Sequence, residues 1–283
     1  MRIRTRKRTR KMEEKKIPEF EIEKYIHSLH LHPILEKAAL YTLMLPGKRL
    51  RPNFLTASAE DFRVSKKTTS KAAMAIEMMH AASLIHDDLP AVDNDNYRRG
   101  KPSNHIVFGE DVAIMAGDLL FSTALHLCEE IDESVSVAFS KTLVDLVDGE
   151  TRDIIMSKSN DVTVDEIVEM YRKKTGALFA FAFSFGPRIA KQSTEKYEEA
   201  GYNFGVSFQI LDDILDVTST FEKIGKTPQK DAEQHKATLV QKIGVEDSHK
   251  IADTLYRKVL LNLKDSEKLL KEVKKSEKLL RKR

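Results

Sequence analysis

An all-α fold is predicted by three observations: turn formers are few, the prevailing residues are strong helix formers, and β-branched alternation is scarce. Eight Pro and 11 Gly in 283 residues leave long uninterrupted stretches, and Ala, Leu, Lys and Glu fill them. With 41% hydrophobic residues, the chain can bury a sizeable core as a single-domain helical bundle.

Taken in order, residues 1–16 stand apart. Nine Lys or Arg fall between Arg2 and Lys16, with no aromatics for base stacking and no apolar core for a signal peptide. A disordered, solvated basic arm is therefore expected ahead of a helical domain over 17–283. From Ile17 the chain reads as helices broken near Pro46-Gly47, Pro90, Gly100-Lys101-Pro102, Gly186-Pro187 and Gly225 to Pro228. Ala72 to Leu89 carries no charge except Glu77 and its terminal aspartates, which marks a helix buried on most sides. Phe204 to Val217 and Ala177 to Phe185 are two more such helices. The C-terminal stretch has Leu269, Leu270, Val273, Leu279 and Leu280 in a narrow stripe, as on a surface helix.

The 47 basic and 44 acidic residues nearly cancel, so the net charge of +3 is no nucleic-acid signature. Cys128 is the single cysteine, which excludes an internal disulfide framework and a CxxC metal site and fits a reducing, cytoplasmic setting. No run of about 18 apolar residues occurs, so no membrane span is expected.

The aspartates are the informative feature. Asp87, Asp88, Asp93 and Asp95 crowd the end of the least polar helix without an intervening Lys or Arg. In Gln209-Ile-Leu-Asp-Asp-Ile-Leu-Asp, Asp212 and Asp216 are four apart and share a helix face with Gln209 and Asp213. One such cluster reads equally well as a solvated helix face. Two, both on helices otherwise too apolar for the surface, favour hard-metal binding together with phosphates, because oxygen ligands without His or Cys suit Mg²⁺. Basic groups recur near the same breaks: Lys48, Arg49 and Arg51; Arg98, Arg99 and Lys101; Lys173 and Lys174; Lys226, Lys230 and Lys236.

These elements, in this order, resemble the trans-isoprenyl diphosphate synthases, the family of farnesyl and geranylgeranyl diphosphate synthases. The similarity runs from Leu35 to about Val240 and is most specific in Gly47 to Pro52, His80 to His105 and Phe208 to Asp216. Four residues between Asp88 and Asp93 look like the bacterial and plastid-type branch. The resemblance implies the isoprenoid synthase fold, a bundle of mostly antiparallel helices around a deep central cavity, and a homodimer. It implies that Asp87, Asp93 and Asp212 bind Mg²⁺ while Asp88, Asp213 and Asp216 hold waters or orient those ligands. Arg98, Lys174, Thr175, Gln209, Lys226 and Lys236 would hold the allylic diphosphate, and Lys48, Arg51, His80 and Arg99 the isopentenyl diphosphate. The implied reaction is head-to-tail: ionisation of the allylic diphosphate, attack by isopentenyl diphosphate, loss of a proton. Ala82 and Ser83, five and four positions before Asp87, are small where a bulky aromatic would stop growth at farnesyl, so geranylgeranyl diphosphate is expected, with a floor at Met115 or Phe121 the alternative.

The chain departs from the family pattern at Glu150, where Gln is usual, which is expected to alter only a supporting hydrogen bond. Its C-terminal helix also ends in Lys and Arg without the usual apolar tail. Farnesyl diphosphate synthesis, a non-catalytic partner subunit and a terpene cyclase are the alternatives; two intact aspartate clusters count against the second, and Lys48, Arg51 and Arg99 against the third.

Overall fold

The computed structural model describes residues 19–159, 161–218 and 236–280, so Lys226, Lys230 and the basic arm lie outside the described residues. The all-α expectation holds. The chain runs α1 (Glu19–Ser28), α2 (Pro33–Leu43), α3 (Leu50–Asp61), α4 (Lys66–Asp87), a two-stranded hairpin of β1 (Tyr97–Arg98) and β2 (Lys101–Pro102), α5 (Asn104–Phe108), α6 (Glu110–Glu129), α7 (Glu133–Met156) and α8 (Val164–Tyr171). A π-helical turn, Arg172–Gly176, leads into α9 (Ala177–Ile189), then α10 (Glu195–Thr218), α11 (Leu239–Asn262) and α12 (Glu267–Leu280).

Local chemistry sets the ends. Ser65 caps α4 by accepting from the Thr68 amide at 3.2 Å, and Thr163 with Glu166 forms a capping box on α8. Asp61 at the end of α3 accepts from the amides of Lys268 and Leu269 at 2.9 and 3.1 Å, which docks the start of α12. That contact and the buried Leu269, Val273 and Leu280 make α12 a packed surface helix.

The centre is α4, buried on most sides from Ala72 to Ile85 and packed between α3 and α6. Beside it Phe54 of α3, Phe179 and Phe183 of α9 and Phe204 of α10 interlock, with edge-on centroid separations such as 5.0 Å for Phe54–Phe204. Glycines let α10 approach: a Cβ at Gly201 would strike Ala180, and one at Gly205 would strike Gly176. α6 is long and apolar enough to cross a membrane by length and composition alone, yet no span is expected from the sequence. It packs on α4 and α7 instead.

Gly186-Pro187 does not break the chain as expected; α9 continues through it. Pro187 has no amide to bond the Phe183 carbonyl four residues back. The Ser58 hydroxyl donates to that carbonyl at 2.7 Å and accepts from the Gly186 amide at 3.0 Å, so α3 supplies the hydrogen bond that proline removes.

Candidate active site

The first acidic motif begins where α4 ends. Past Pro90 the backbone folds back, and the amides of Asp93 and Asp95 donate to the carbonyls of Asp87 and Asp88 at 2.9 and 3.1 Å. This turn, with Asn94 at positive φ, returns Asp93 to the helix end it left. Asp88 is buried and held by Arg98, whose Nε donates to it at 2.9 Å while Nη2 also reaches Asp95 at 3.3 Å. Arg98 is thus committed to the acidic motif itself. The Asp87 carboxylate meets no donor among the described residues; burial, then the nearby charge of Glu150, pushes its pKa up to about 8.

The second motif lies on α10. Ile210, Leu211 and Ile214 are buried on the opposite face, as the periodicity predicts. Asp213 is buried; the Tyr171 hydroxyl donates to it, and Gln209 Nε2 donates at 2.9 Å. Tyr171 in turn accepts from the Leu239 amide at 3.1 Å, tying α11 to the site. Asp216 is buried one turn on, and Asp212 is the more open of the three.

Between the motifs sits the π turn. Gly149 of α7 packs against it so closely that a Cβ would collide with the backbone of Lys174. The turn aims Thr175 at α10, where its hydroxyl donates to Gln209 Oε1 at 2.9 Å. It aims Lys174 at α7, where the ammonium meets Asp153 at 2.6 Å and Glu150 at 2.8 Å. Burial works against that charge, but Asp153 and Glu150 outweigh it and raise the Lys174 pKa. Lys236, just before α11, reaches Asp93 at 3.0 Å and Asp153 at 3.6 Å. The structure therefore joins Asp87, Asp93, Lys174 and Lys236, which lie far apart in sequence.

The cationic side is separate. Arg51 Nη1 lies 3.3 Å from His80 Nε2, and its guanidinium stacks 4.6 Å from the Phe179 centroid. Burial lowers the Arg51 pKa to about 10. Burial, then Arg51, Arg99, Arg98 and Arg49, holds His80 well below the usual histidine value. Arg99 donates to the Leu45 carbonyl at 3.3 Å and fills the space a side chain at Gly47 would need. Lys48 stands 5.9 Å from the Phe208 centroid. Arg49 differs from its neighbours in being an anchor: it pairs with buried Glu77 and donates to the carbonyls of Leu43 and Leu45 at 2.8 and 3.1 Å.

Ala82 is fully buried, and Ser83 is partly buried with its hydroxyl donating to the His80 carbonyl at 3.0 Å. His86 packs where Gly117 of α6 has no side chain, 5.6 Å from the Phe121 ring centroid. Met115 is half exposed at 52%, so of the two alternative floor residues only Phe121 faces this packing.

Sequence reading missed Asp153 and Tyr171. Asp153 had a signal, since it lies three residues beyond Glu150 on the same helix face; Tyr171 had none. Among the described residues no three His, Cys, Asp or Glu side chains converge on one ion-sized point. A hard cation would therefore sit against Asp87 and Asp93, or against Asp212, and complete its shell with water and phosphate oxygens, as Mg²⁺ does. The carboxyl group of Asp87, which takes no hydrogen bond among the described residues and is held among like charges, fits that role.

The polyprenyl synthetase family model matches residues 32–276. The chain is 40% identical over 228 residues to the geranylgeranyl diphosphate synthase of Cyanophora paradoxa, covering 76% of each. It is 38% identical over 240 residues to the farnesyl diphosphate synthase of Geobacillus stearothermophilus, covering 80% of each. The crystal structure of a Thermotoga maritima geranyltranstransferase superposes with a TM-score of 0.84 at 34% identity, over 93% of this chain and 97% of that one. A Helicobacter pylori geranyltransferase complexed with magnesium and isoprenyl diphosphate gives 0.76 at 26% identity, over 94% and 96%. The match spans the helices that carry both acidic motifs and the basic cluster, and the chain is a member of the polyprenyl synthetase family, a prenyl diphosphate synthase.

Proposed function

We propose that this enzyme condenses isopentenyl diphosphate with allylic diphosphates and releases mainly geranylgeranyl diphosphate. One observation carries the reading: the site has two anion-seeking regions of opposite construction. At one, Asp87 and Asp93 face Lys174 and Lys236, so anions enter it with divalent cations. At the other, Arg51, Arg99 and neutral His80 offer desolvated donors to a diphosphate that needs no metal. A reaction that ionises one diphosphate and keeps the other intact needs that difference.

Magnesium, when bound, neutralises the departing pyrophosphate. Lys174 and Lys236 orient the leaving group, while Arg98 holds Asp88 and Asp95 in place and the linked Thr175 and Gln209 set the second motif through Asp213. Lys48, Arg51 and Arg99 hold isopentenyl diphosphate so that its double bond attacks the cation, and the proton goes to the released pyrophosphate. The phenylalanine-rich walls of α9 and α10 keep water from quenching the cation.

Small Ala82 and Ser83 beneath Asp87 support the longer product, as does the 40% identity to a geranylgeranyl diphosphate synthase. A second copy of the chain is the proposed partner. It would cover the exposed Val137, Val144 and Ile155, which share a stripe on α7, beside exposed Ile114 and Met115 of α6.

The test is product length with labelled isopentenyl diphosphate, Mg²⁺ and dimethylallyl, geranyl or farnesyl diphosphate as primer. A geranylgeranyl product is expected, reduced about 100-fold or more in Asp87→Ala and Asp212→Ala, and shortened to farnesyl in Ser83→Phe. Farnesyl as the wild-type end point would overturn the product assignment, and full activity in both aspartate variants would overturn the site.

A further inference from the structure

Glu150 borders the metal-facing region, close enough to act on both Lys174 and Asp87, yet the chemistry above gives it no task. It lies three residues before Asp153 on α7, and its Oε2 stands 2.8 Å from the Lys174 ammonium. Asp153 already holds that ammonium at 2.6 Å, so Glu150 is not required to restrain it. Its other oxygen, Oε1, is buried and meets no hydrogen-bond donor among the described residues. An amide of the same shape would sit here without that uncompensated charge. Among side chains, Glu150 also acts most strongly on Asp87.

Among the described residues, the carboxyl groups of Asp87, Asp93, Glu150 and Asp153 thus face two ammonium groups, Lys174 and Lys236, and the Arg98 guanidinium that Asp88 holds. A diphosphate entering that field adds like charge and is repelled unless divalent cations arrive with it. We propose that Glu150 is a positioning residue whose surplus charge makes diphosphate binding at this site depend on divalent cation, so that the allylic substrate is held only in its metal-loaded form. The inference rests on the diphosphate site proposed above. Its consequence is protection: a metal-free diphosphate occupying the site would block it without being ionised, and Glu150 disfavours that complex.

Calorimetric titration of the full chain with inorganic pyrophosphate, once in chelator and once in excess Mg²⁺, tests this in wild type, Glu150→Gln and Glu150→Asp. In chelator, Glu150→Gln binds pyrophosphate about tenfold more tightly than wild type, and the strengthening by Mg²⁺ shrinks by a similar factor. Glu150→Asp, which keeps the charge, retains the wild-type linkage. Binding at the arginine cluster is common to all three proteins and cancels. Mn²⁺ binding to the free proteins, read from its electron paramagnetic resonance signal, weakens in the Gln variant alone.

Identical metal linkage in wild type and Glu150→Gln overturns the inference while leaving the diphosphate site standing. Loss of linkage in both variants, or uniform weakening with a lower melting temperature, assigns Glu150 to shape and packing and overturns the charge argument. A wild-type chain that binds no pyrophosphate even with Mg²⁺ overturns the site itself.

Discussion

His80 shows how one residue's surroundings decide its chemistry. A lone helical histidine is ordinarily a packing residue, and only its place in the motif argued otherwise. The structure puts it 3.3 Å from Arg51, among guanidinium groups and largely away from water, so it is neutral at pH 7 and able to present one ring nitrogen as donor. Because its folded pKa is depressed, the unfolded chain binds a proton near pH 6.5 that the folded chain refuses. Stability is therefore full above that pH and falls as pH drops below it, by up to about 1.4 kcal/mol per pH unit from this residue. Thermal melts of wild type and His80→Gln between pH 7.5 and 5.5 check this. The wild-type melting temperature should fall more steeply than the variant's; parallel curves would mean that His80 is protonated in the fold.

At the scale of elements, two segments differ from how they read in the sequence. Gly186-Pro187 reads as a break and is none, because Ser58 from α3 bridges the gap in the hydrogen-bond ladder. Lys173-Lys174-Thr175 reads in the sequence only as a basic cluster, and it is a π turn that changes the facing of two side chains without ending the helical run. Gly149 supplies the space for that turn. Ser58→Ala should cost about 1–3 kcal/mol, since a buried carbonyl loses its donor, with kcat unchanged at temperatures where the protein is folded. Gly149→Ala should instead shift Lys174 by forcing the turn away from α7, lowering kcat at least tenfold with a smaller loss of stability. Equal kinetic damage from both would show that the π turn has no special part in placing Lys174.

For the molecule as a whole, what the sequence disclosed was set by how local each signal was. Helical class and the buried character of α4, α9 and α10 follow from runs of apolar residues, and both acidic motifs are contiguous in the chain. Asp153, Tyr171 and the Arg49–Glu77 pair matter only through contacts between distant segments, such as Tyr171 with Asp213 and Leu239, which no spacing encodes. The outer face of α7 is legible only from the structure, because Val137, Val144 and Ile155 are ordinary apolar residues until they are seen to lack cover at 62%, 66% and 62% exposure. A stripe at helical spacing on a helix that packs on α6 is the kind of apolar surface that the proposed second copy would cover by an isologous contact. Both helices also line the active site, α7 through Glu150 and Asp153 and α6 through the His86–Gly117 contact. Separating two copies would therefore loosen the wall beneath Asp87. In the proposed dimer, Val144→Glu would place like charges against each other across the axis. Light scattering should give a dimer for wild type and a monomer for the variant, with activity falling as the monomer fraction rises on dilution. A wild-type monomer would remove the second copy as the partner, and a fully active monomeric variant would show that the wall stands without it.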